Sequence, residues 1–303
     1  MTELTEEKKS LLKRVLIALL IRPPVILILL PLCLFLLSYG ETQNTTVEER
    51  FGLSSSIKSP YKDTIKGTFV YSFAFCGDPH MYSKGDGCFD DLDRAIKLNQ
   101  IRFVIFGGDL TYLGEEAEYS NFIDHISTLT SPSYPALGNH DIYNNGWEYY
   151  WRYFGPSAYS FNGGNAKFVV IDSADGEIGD AQMEWIHNQL RNNKQPIVFV
   201  VSHMPIYGDS YGVYKFPETK EKQQLIEIFE KYEVDFVLQG HYHGFVDISH
   251  NGVRYITSGS FSDGLLDSGI RHFLLIKVYG PEVTIEQVPV GQDIPVQYMD
   301  GAI

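Results

Sequence analysis

Polar and apolar positions follow one another along this chain in a pattern that predicts strands and helices in turn. Largely apolar runs at 70–76, 102–106, 196–202 and 235–239 are typical of buried strands. A strand pair at 159–161 and 167–172 is joined by an Asn-Gly-Gly-Asn turn. Helices are predicted between the strands, at 90–99, 115–129, 147–154, 180–192 and 218–232. Such alternation indicates an α/β fold.

The pattern changes after residue 243. Successive strands are predicted at 245–248, 253–258, 272–278 and 282–288, with no helix between them. Strands that follow one another in this way, after a body of alternating strands and helices, suggest a second sheet packed on the first.

The first 39 residues are basic and then almost continuously apolar. Lysines and arginines precede apolar runs at 15–21 and 25–39, which Arg22-Pro23-Pro24 separates. A membrane-spanning helix needs about 20 residues, and a helix that starts at Pro23 is just long enough. Basic residues before it and acidic residues after it place the N terminus in the cytoplasm. We therefore expect an uncleaved membrane anchor at 1–39, with the remainder of the chain extracytoplasmic.

A cleaved signal peptide is the alternative, because Ser38-Tyr39-Gly40 fits the small-residue pattern of a cleavage site and would lead to secretion. A buried core helix is disfavoured because the run is not amphipathic. Residues 40–66 are rich in Ser, Thr, Glu and Lys and predict a linker, with a glycosylation acceptor at Asn44-Thr45-Thr46. The predicted organisation continues with a large domain at 67–290 and a C-terminal tail at 291–303.

Composition narrows the class of protein. The chain has 303 residues, of which 14% are aromatic, which is enough for a large core. Its formal net charge of -14 argues against nucleic acid as a partner, because binding to that backbone relies on Lys and Arg. Cys33 lies in the N-terminal segment. Cys76 and Cys88 are read either as two small buried residues or as a disulfide formed in an oxidising compartment.

Five short clusters of metal-ligand types lie between positions 78 and 243. They are Asp78-Pro79-His80, Gly108-Asp109, Gly138-Asn139-His140-Asp141, His203 and Gly240-His241-Tyr242-His243. Most follow a strand-like run, and the carboxyl ends of buried strands meet at one rim of a sheet, where α/β proteins place their sites. Carboxylate, imidazole and amide oxygen suit divalent Mn, Fe, Zn or Co, and no thiolate belongs to the set.

This order of motifs resembles the calcineurin-like metallophosphoesterases, whose pattern is D-x-H, G-D, G-N-H-[DE], an isolated H and G-H-x-H. The resemblance covers roughly residues 67 to 289. It implies a four-layer α/β/β/α sandwich of two mixed sheets and a metal-dependent phosphoric ester hydrolase. The implied reaction is hydrolysis of phosphate mono- or diesters by attack of a hydroxide that bridges two divalent metal ions.

The resemblance also implies a role for each motif residue. Asp78, His80 and His243 would hold one metal. Asn139, His203 and His241 would hold the other, and Asp109 would bridge the two. His140 would contact the phosphate and protonate the leaving oxygen, which suits the pKa of histidine. Asp141 would orient His140.

The second motif departs from the pattern, because Gly108-Asp109-Leu110-Thr111-Tyr112 is similar to the G-D-x-x-Y string of purple acid phosphatases, where the tyrosine binds iron. Those enzymes lack the histidine of the first motif, whereas His80 is present here. We therefore expect Tyr112 to pack beside the site, with an iron-bound tyrosinate as the alternative.

Other polar and aromatic residues lie close to the motifs in sequence. The segment 204–217 follows His203, and its aromatic residues either pack on one another or stack on a base, a sugar or a lipid glycerol. Asp172 and Asp175 are expected to cap or turn the chain. The four remaining histidines are expected to be ordinary surface or core residues, and they are His125, His187, His250 and His272.

The sequence leaves the substrate open. No Lys or Arg lies within the motifs, and a phosphate monoester needs more cationic help than a diester, so the pattern favours diesters. A phosphate ester is the expected partner in either case. The alternatives are a non-catalytic metal-binding scaffold on the same fold, a purple-acid-phosphatase-like monoesterase and a metal-dependent esterase of non-phosphate bonds.

Overall fold

A computed structural model describes residues 45–63, 70–81, 88–208, 212, 214–262 and 270–291 of the chain. The membrane segment and most of the C-terminal tail predicted from the sequence lie outside these residues. Among the helices within the described ranges, none is both long enough and apolar enough to cross a bilayer. The described residues belong to one compact unit.

The described residues form eleven strands in two mixed sheets. One sheet, sheet I, has the order β11-β10-β1-β2-β3, and the other, sheet II, has the order β4-β5-β6-β7-β9-β8. In sheet I, β1, β2 and β3 are parallel, while β10 and β11 run antiparallel to their neighbours. In sheet II, β5, β6, β7 and β9 are parallel, while β4 and β8 form antiparallel edges. The strands are β1 (Val70–Cys76), β2 (Ile101–Phe106), β3 (Ser133–Pro135), β4 (Tyr159–Gly163), β5 (Ala166–Val170), β6 (Ile197–Ser202), β7 (Phe236–Gln239), β8 (Val246–His250), β9 (Val253–Thr257), β10 (His272–Tyr279) and β11 (Glu282–Pro289).

An aromatic core joins the two sheets face to face. Residues of β1 alternate between the two sides of the sheet, so that Phe73 points to sheet II while Ala74 points away from it. Phe73 stacks on Phe103 at 5.0 Å and meets Phe168 and Phe199 edge-on at 5.2 and 5.3 Å. Nine of the twenty buried residues in this core are aromatic.

Helices cover the outer faces of both sheets. The outer side of sheet I packs against α2, α3 and α4, and the outer side of sheet II packs against α5 and α6. Two mixed sheets with helices outside confirm the predicted α/β fold and its order of layers. The helices are α1 (Val47–Ser56), α2 (Cys88–Asn99), α3 (Glu116–Thr128), α4 (Trp147–Phe154), α5 (Asp180–Arg191) and α6 (Lys220–Lys231).

Part of the predicted linker is a helix, and this differs from the sequence reading. Thr46 caps α1 in a capping box with Glu49, and two buried residues, Val47 and Phe51, face the domain. The helix was missed because only two large apolar residues face inward and a buried arginine, Arg50, supplies the rest of the contact. The chain continues to Tyr61, whose ring stacks on Tyr159 at 3.8 Å. Residues 45–63 are called the N-terminal strap below.

Strand β3 is the second element absent from the sequence reading. It has three residues and ends at Pro135 on the edge of sheet I, so neither its length nor its apolar pattern marks it. Cys76 and Cys88 are both buried, in agreement with the reading of two small core residues.

Candidate metal centre

The predicted ligands lie at one rim of the two sheets, as expected. Asp78 and Asp109 follow the carboxyl ends of β1 and β2, and Asn139 follows β3. His203 comes directly after β6, and His241 follows β7. All five strands are parallel within their sheets, so their carboxyl ends bring the five motifs together.

Four of these side chains form a first donor group, made of Asp78, His80, His243 and the shared Asp109. His80 Nε2 lies 2.9 Å from His243 Nε2 and 3.7 Å from Asp109 Oδ2. His243 Nε2 lies 3.6 Å from Asp78 Oδ1. Each of these side chains is at least nine-tenths buried.

A second donor group is made of His203, His241 and the same Asp109, with Asn139 beside them. His203 Nε2 lies 3.0 Å from Asn139 Oδ1, 3.2 Å from His241 Nδ1 and 3.4 Å from Asp109 Oδ1. Asp109 therefore directs one carboxylate oxygen to each group, as a bridging ligand would.

The donor atoms fit a metal in each group. Ligand bonds of about 2.0–2.2 Å place two donors of one ion about 3.0–3.5 Å apart, and the separations in both groups lie near this range. Several buried acceptors that face one another need a cation between them. The set of carboxylate, imidazole and amide oxygen suits a divalent metal of the first transition row.

Backbone strain is concentrated at these ligands. Positive φ angles occur at Asp78 (48°), His80 (44°), Asp109 (50°), His241 (68°) and His243 (57°). Residues other than glycine rarely adopt this left-handed region, and such outliers cluster at functional sites. The fold therefore holds most of the ligands in conformations that only the surrounding packing can enforce.

Two of the motif glycines make room for the ligands. A Cβ on Gly108, whose φ is +95°, would lie 2.6 Å from His203 Nδ1. A Cβ on Gly138 would lie 2.2 Å from the main-chain nitrogen of Asp109. The glycines that precede Asp109 and Asn139 are thus required by close approach.

Electrostatics at the centre favour ionised Asp78 and Asp109 and a protonated His203. Burial would raise the pKa of Asp109, but the His203 imidazolium beside it holds that pKa well below its usual range. Burial likewise opposes ionisation of Asp78, whose pKa is nevertheless lowered by its hydrogen bond to His243. Burial lowers the pKa of His203, but Asp109 outweighs it and raises the value to about 9.

The other two histidines with shifted values are already neutral. Burial lowers the pKa of His80 to about 4, and burial together with His203 lowers that of His241 to about 4. A metal needs a neutral imidazole nitrogen. These two residues are ready for a metal near neutral pH, whereas His203 has a proton to lose.

His140 lies against the first donor group without joining it. Its ring meets the ring of His80 edge-on at 4.6 Å, and its Nδ1 lies 2.6 Å from the carbonyl oxygen of Tyr112. A carbonyl can only accept a hydrogen bond, so Nδ1 carries a proton and donates it to the Tyr112 carbonyl, which leaves Nε2 for other partners. The ring of Tyr112 lies 5.4 Å from that of His140, which fits the predicted packing role of this tyrosine.

The expected role of Asp141 differs from its observed contacts. Its carboxylate accepts hydrogen bonds from Thr111 N and Thr111 Oγ1, each at 2.9 Å, and from Gly138 N at 2.9 Å. Burial, with Asp109 nearby, raises its pKa to about 7. Asp141 therefore ties the second motif to the third, and the Tyr112 carbonyl orients His140 in its place.

Two further residues support the second donor group and were missed in the sequence. Tyr143 Oη accepts a hydrogen bond from Asn139 Nδ2 at 3.2 Å, which turns Asn139 Oδ1 towards His203. Ser173 Oγ accepts from His203 N at 3.0 Å and from Met204 N at 3.2 Å. The only sequence signal for Tyr143 is its position four residues after Asn139, and nothing in the sequence marks Ser173.

Tyrosines border the open side of the centre. Tyr214 is 54% exposed, and its ring lies 6.2 Å from that of His241 and 6.5 Å from that of Tyr242. The other described aromatics of segment 204–217 pack inside the fold, since Phe216 is buried and Tyr207 stacks on His250 at 4.1 Å. Phe216 and Tyr207 therefore agree with the packing reading, while stacking of Tyr214 on a substrate stays a prediction.

The family model for calcineurin-like phosphoesterases matches residues 71–245, more than half of the chain and all five motifs. The chain belongs to this family of metal-dependent phosphoesterases and is an enzyme of that class. The resemblance stated from the motifs is thereby confirmed.

Curated relatives are similar at low identity. A probable cyclic nucleotide phosphodiesterase of Colwellia psychrerythraea is 24% identical over 198 residues, covering 57% of this chain and 71% of the relative. The 3',5'-cyclic adenosine monophosphate phosphodiesterase CpdA of Escherichia coli K12 is 23% identical over 55% of this chain and 64% of its own. A serine/threonine-protein phosphatase of Danio rerio, CPPED1, is 26% identical over 56% of this chain and 63% of its own.

Solved structures share the fold. A purple acid phosphatase from yellow lupin superposes with a TM-score of 0.62 at 18% identity, covering 81% of this chain but 54% of the lupin chain. A dimetal phosphatase from Danio rerio gives a TM-score of 0.59 at 14% identity, over 73% of this chain and 96% of the other. Identities this low establish the architecture alone.

Proposed function

We propose that the protein is a binuclear metal-dependent phosphodiesterase. The observation that carries this proposal is the position of Asp109, which offers one carboxylate oxygen to each of two donor groups. Asp78, His80 and His243 would hold one divalent ion, and Asn139, His203 and His241 the other. Two such ions lower the pKa of a bound water and stabilise charge on the attacking and leaving oxygens.

The chain itself supplies the proton for the leaving group. His140 Nδ1 is committed to the Tyr112 carbonyl, so Nε2 is the nitrogen that gives and takes a proton. Its ring is partly exposed and lies at the edge of the first donor group, within reach of a bound ester. This arrangement supports His140 as the general acid.

A diester substrate fits the surroundings of the centre better than a monoester. The motifs contain no Lys or Arg to neutralise a second negative charge, and the exposed ring of Tyr214 stands beside His241. Flat aromatic rings stack on heterocyclic bases. Several relatives are named as cyclic nucleotide phosphodiesterases, which supports a cyclic nucleotide as the substrate class.

A phosphomonoesterase is the second candidate. The string from Gly108 to Tyr112 is similar to that of purple acid phosphatases, and the lupin enzyme shares the fold. The position of His80 among the ligands argues for ordinary divalent ions, because this histidine fills the place for which a tyrosinate would otherwise be needed.

The test is metal-dependent hydrolysis by the purified full-length protein, stripped of metal and reloaded with Mn, Fe, Zn or Co. We expect turnover of bis-p-nitrophenyl phosphate and of 3',5'-cyclic AMP, with p-nitrophenyl phosphate slower. His140→Ala should lower kcat by about 10²–10⁴-fold at unchanged metal content. Arg254→Met is the matched control, since its exposed ion pair with Asp247 lies on the hairpin of β8 and β9.

Preferred turnover of the monoester would select the phosphatase. Stoichiometric metal binding without turnover of any of these esters would contradict the proposal and favour a scaffold or an esterase of non-phosphate bonds.

We also propose that residues 1–39 anchor the protein in a membrane, with the metal centre outside the cytoplasm. The support is the sequence alone, through its basic start and its apolar run. Extraction of membranes with carbonate and protease treatment of intact cells test the proposal. Release of the protein by carbonate, or its protection from protease in intact cells, would contradict it.

A further inference from the structure

Arg50, in α1, is a fully buried arginine far from the metal motifs in sequence. Its Nε and Nη2 donate to the two oxygens of Asp172 at 2.8 and 3.0 Å, and Nη2 also lies 3.0 Å from Asp175 Oδ2. Its Nη1 donates to the carbonyl oxygen of Thr45 at 3.0 Å. Both Arg50 and Asp172 have fully buried side chains. Two-pronged pairing of this kind fixes geometry as well as charge.

Asp172 is joined directly to a residue that supports the metal centre. The next residue, Ser173, accepts the main-chain N–H of His203 through its Oγ at 3.0 Å. The opposite end of His203 is held by its Nδ1, 2.9 Å from the carbonyl oxygen of Gly107. A short path therefore runs from Arg50 through Asp172 and Ser173 to a ligand of the second donor group.

Two helices hold Asp172 in different ways. The side chain of Gln182 in α5 binds both the N–H and the C=O of Asp172, at 2.8 and 2.9 Å. The Asp172 carboxylate accepts from Arg50 and from Ser157 Oγ, the latter at 2.8 Å. Without Arg50, Asp172 would be a buried charge with no cation paired to it, a strongly unfavourable state.

The N-terminal strap docks on the domain beside this pair. Glu48 accepts the N–H of Asp180 at the start of α5 at 2.8 Å, and the ring of Phe51 lies 5.9 Å from that of Trp185. The family match begins at residue 71, so the strap and Arg50 lie outside it.

We propose that Arg50 is a positioning residue for the metal ligand His203, so that docking of the N-terminal strap sets the metal affinity of the second donor group. The inference rests on the proposed function in that it takes His203 as a metal ligand. Apart from the shared Asp109, the first donor group is built from other loops, and we expect its affinity not to depend on Arg50.

The experiment measures metal affinity separately for each donor group in the full-length protein. His243→Ala leaves the second group intact, and His241→Ala leaves the first intact. Arg50→Met is added to each background, and Co²⁺ dissociation constants are obtained by titration calorimetry and by the visible absorption of bound Co²⁺. We expect Arg50→Met to weaken binding about 10–100-fold in the His243→Ala background and to change it less than about twofold in the His241→Ala background.

Ser173→Ala tests the intermediate step with a smaller deletion. It should weaken the second group in the same selective way, because His203 N loses its acceptor, while circular dichroism stays that of the folded protein. Arg254→Met, which breaks an exposed pair of the same kind, should leave both constants unchanged.

Equal weakening of both groups, or no change in either, would overturn the inference and leave Arg50 as a purely structural residue. If Arg50→Met fails to fold, Ser173→Ala decides alone, and unchanged affinity in that variant overturns the inference. Failure of the proposed function is recognised separately, as wild-type protein that binds no Co²⁺ or binds it without turning over any ester.

Discussion

The two donor groups differ in how they are enclosed. In the first group, Asp78, His80 and His243 are 0%, 2% and 7% exposed. In the second group, His203 is buried, but Asn139 and His241 are partly exposed. The ring of His241 lies near that of Tyr214. Closed metal sites hold an ion by structure, whereas sites that react keep an open position. We therefore expect a metal ion bound at the second group to be the more accessible to substrate and to exchange more readily.

The supporting residues follow the same division. The second group depends on Tyr143 and Ser173 and, through Asp172, on Arg50. In the first group, Asp78 accepts the main-chain N–H of His241 with both oxygens, at 2.9 and 3.0 Å. The more open second group thus has more hydrogen-bonded residues behind its ligands. This is expected, because solvent around an open site does not fix the ligand side chains.

Asp109→Asn should have the largest effect, because both donor groups contain this residue. We expect kcat/KM for bis-p-nitrophenyl phosphate to fall by about 10³-fold or more, since each tenfold loss corresponds to about 1.4 kcal/mol and two metal contacts are altered. Metal content by atomic emission should fall for both ions. Loss of one ion with the other retained at full occupancy would show that Asp109 does not bridge.

Asp141→Asn tests the connection between the second and third motifs. An amide would turn its NH₂ towards donors on Thr111 or Gly138, and an unsatisfied buried group of this kind costs about 1–3 kcal/mol. We expect the free energy of unfolding of the metal-free protein in urea to fall by that amount. Asp247→Asn, on the exposed β8–β9 hairpin, is the matched control and should change it by less than about 0.5 kcal/mol. Equal effects of the two substitutions would contradict this role of Asp141.

Tyr214→Ala examines the open side of the second group. Stacking on one base is worth about 1–3 kcal/mol, so KM for 3',5'-cyclic AMP should rise about tenfold, while kcat for p-nitrophenyl phosphate stays within about twofold. Tyr214→Phe retains the ring and should behave as wild type. An equal loss for both substrates would mean that Tyr214 acts on the metal centre instead of the base.

Proton release on metal binding is the smallest effect that we expect to distinguish the two donor groups. The pKa of His203 is raised to about 9 in the metal-free protein, so its proton is present at pH 7.5 and is lost as the pH rises through about 9. Metal displaces that proton, and the affinity of the second group should rise about tenfold per pH unit between 7 and 9. His80, with its pKa lowered to about 4, contributes no such dependence to the first group.

Calorimetry in buffers of different ionisation enthalpy counts the protons released. We expect about one proton for the second ion in the His243→Ala background. Binding of that ion without proton release would contradict the assigned state of His203.

The positions of the metal ligands are well predicted from the sequence because each strand end is marked by a local apolar run. Asp78, Asp109, His203 and His241 each follow an apolar run, and parallel strands bring such positions together. Strand β3 is not predicted because three residues that end in proline show no alternation of apolar and polar positions. The third motif, which follows this strand, is nevertheless recognisable in the sequence. Helix α1 is not predicted because its large buried side chains are one charged residue and two apolar ones.

The supports of the site were not predictable in the same way. The partner that orients His140 is a main-chain carbonyl, which carries no residue identity, so the neighbouring Asp141 was assigned in its place. The pair of Arg50 and Asp172 spans 122 positions, and nothing local marks either residue as charged and buried. Polar contacts between residues far apart in the chain depend on the folded structure, so they cannot be predicted from a single sequence.

The positive φ angles at five ligands imply that this protein balances stability against activity at single backbone positions. Each left-handed residue other than glycine costs about 1–3 kcal/mol in conformational free energy, and five of the ligands adopt this conformation. Glycine at such a position would relieve strain while removing a ligand. The most stable variants of this domain are therefore expected among its inactive ones, and selection for activity keeps the ligand residues in conformations that selection for stability alone would remove.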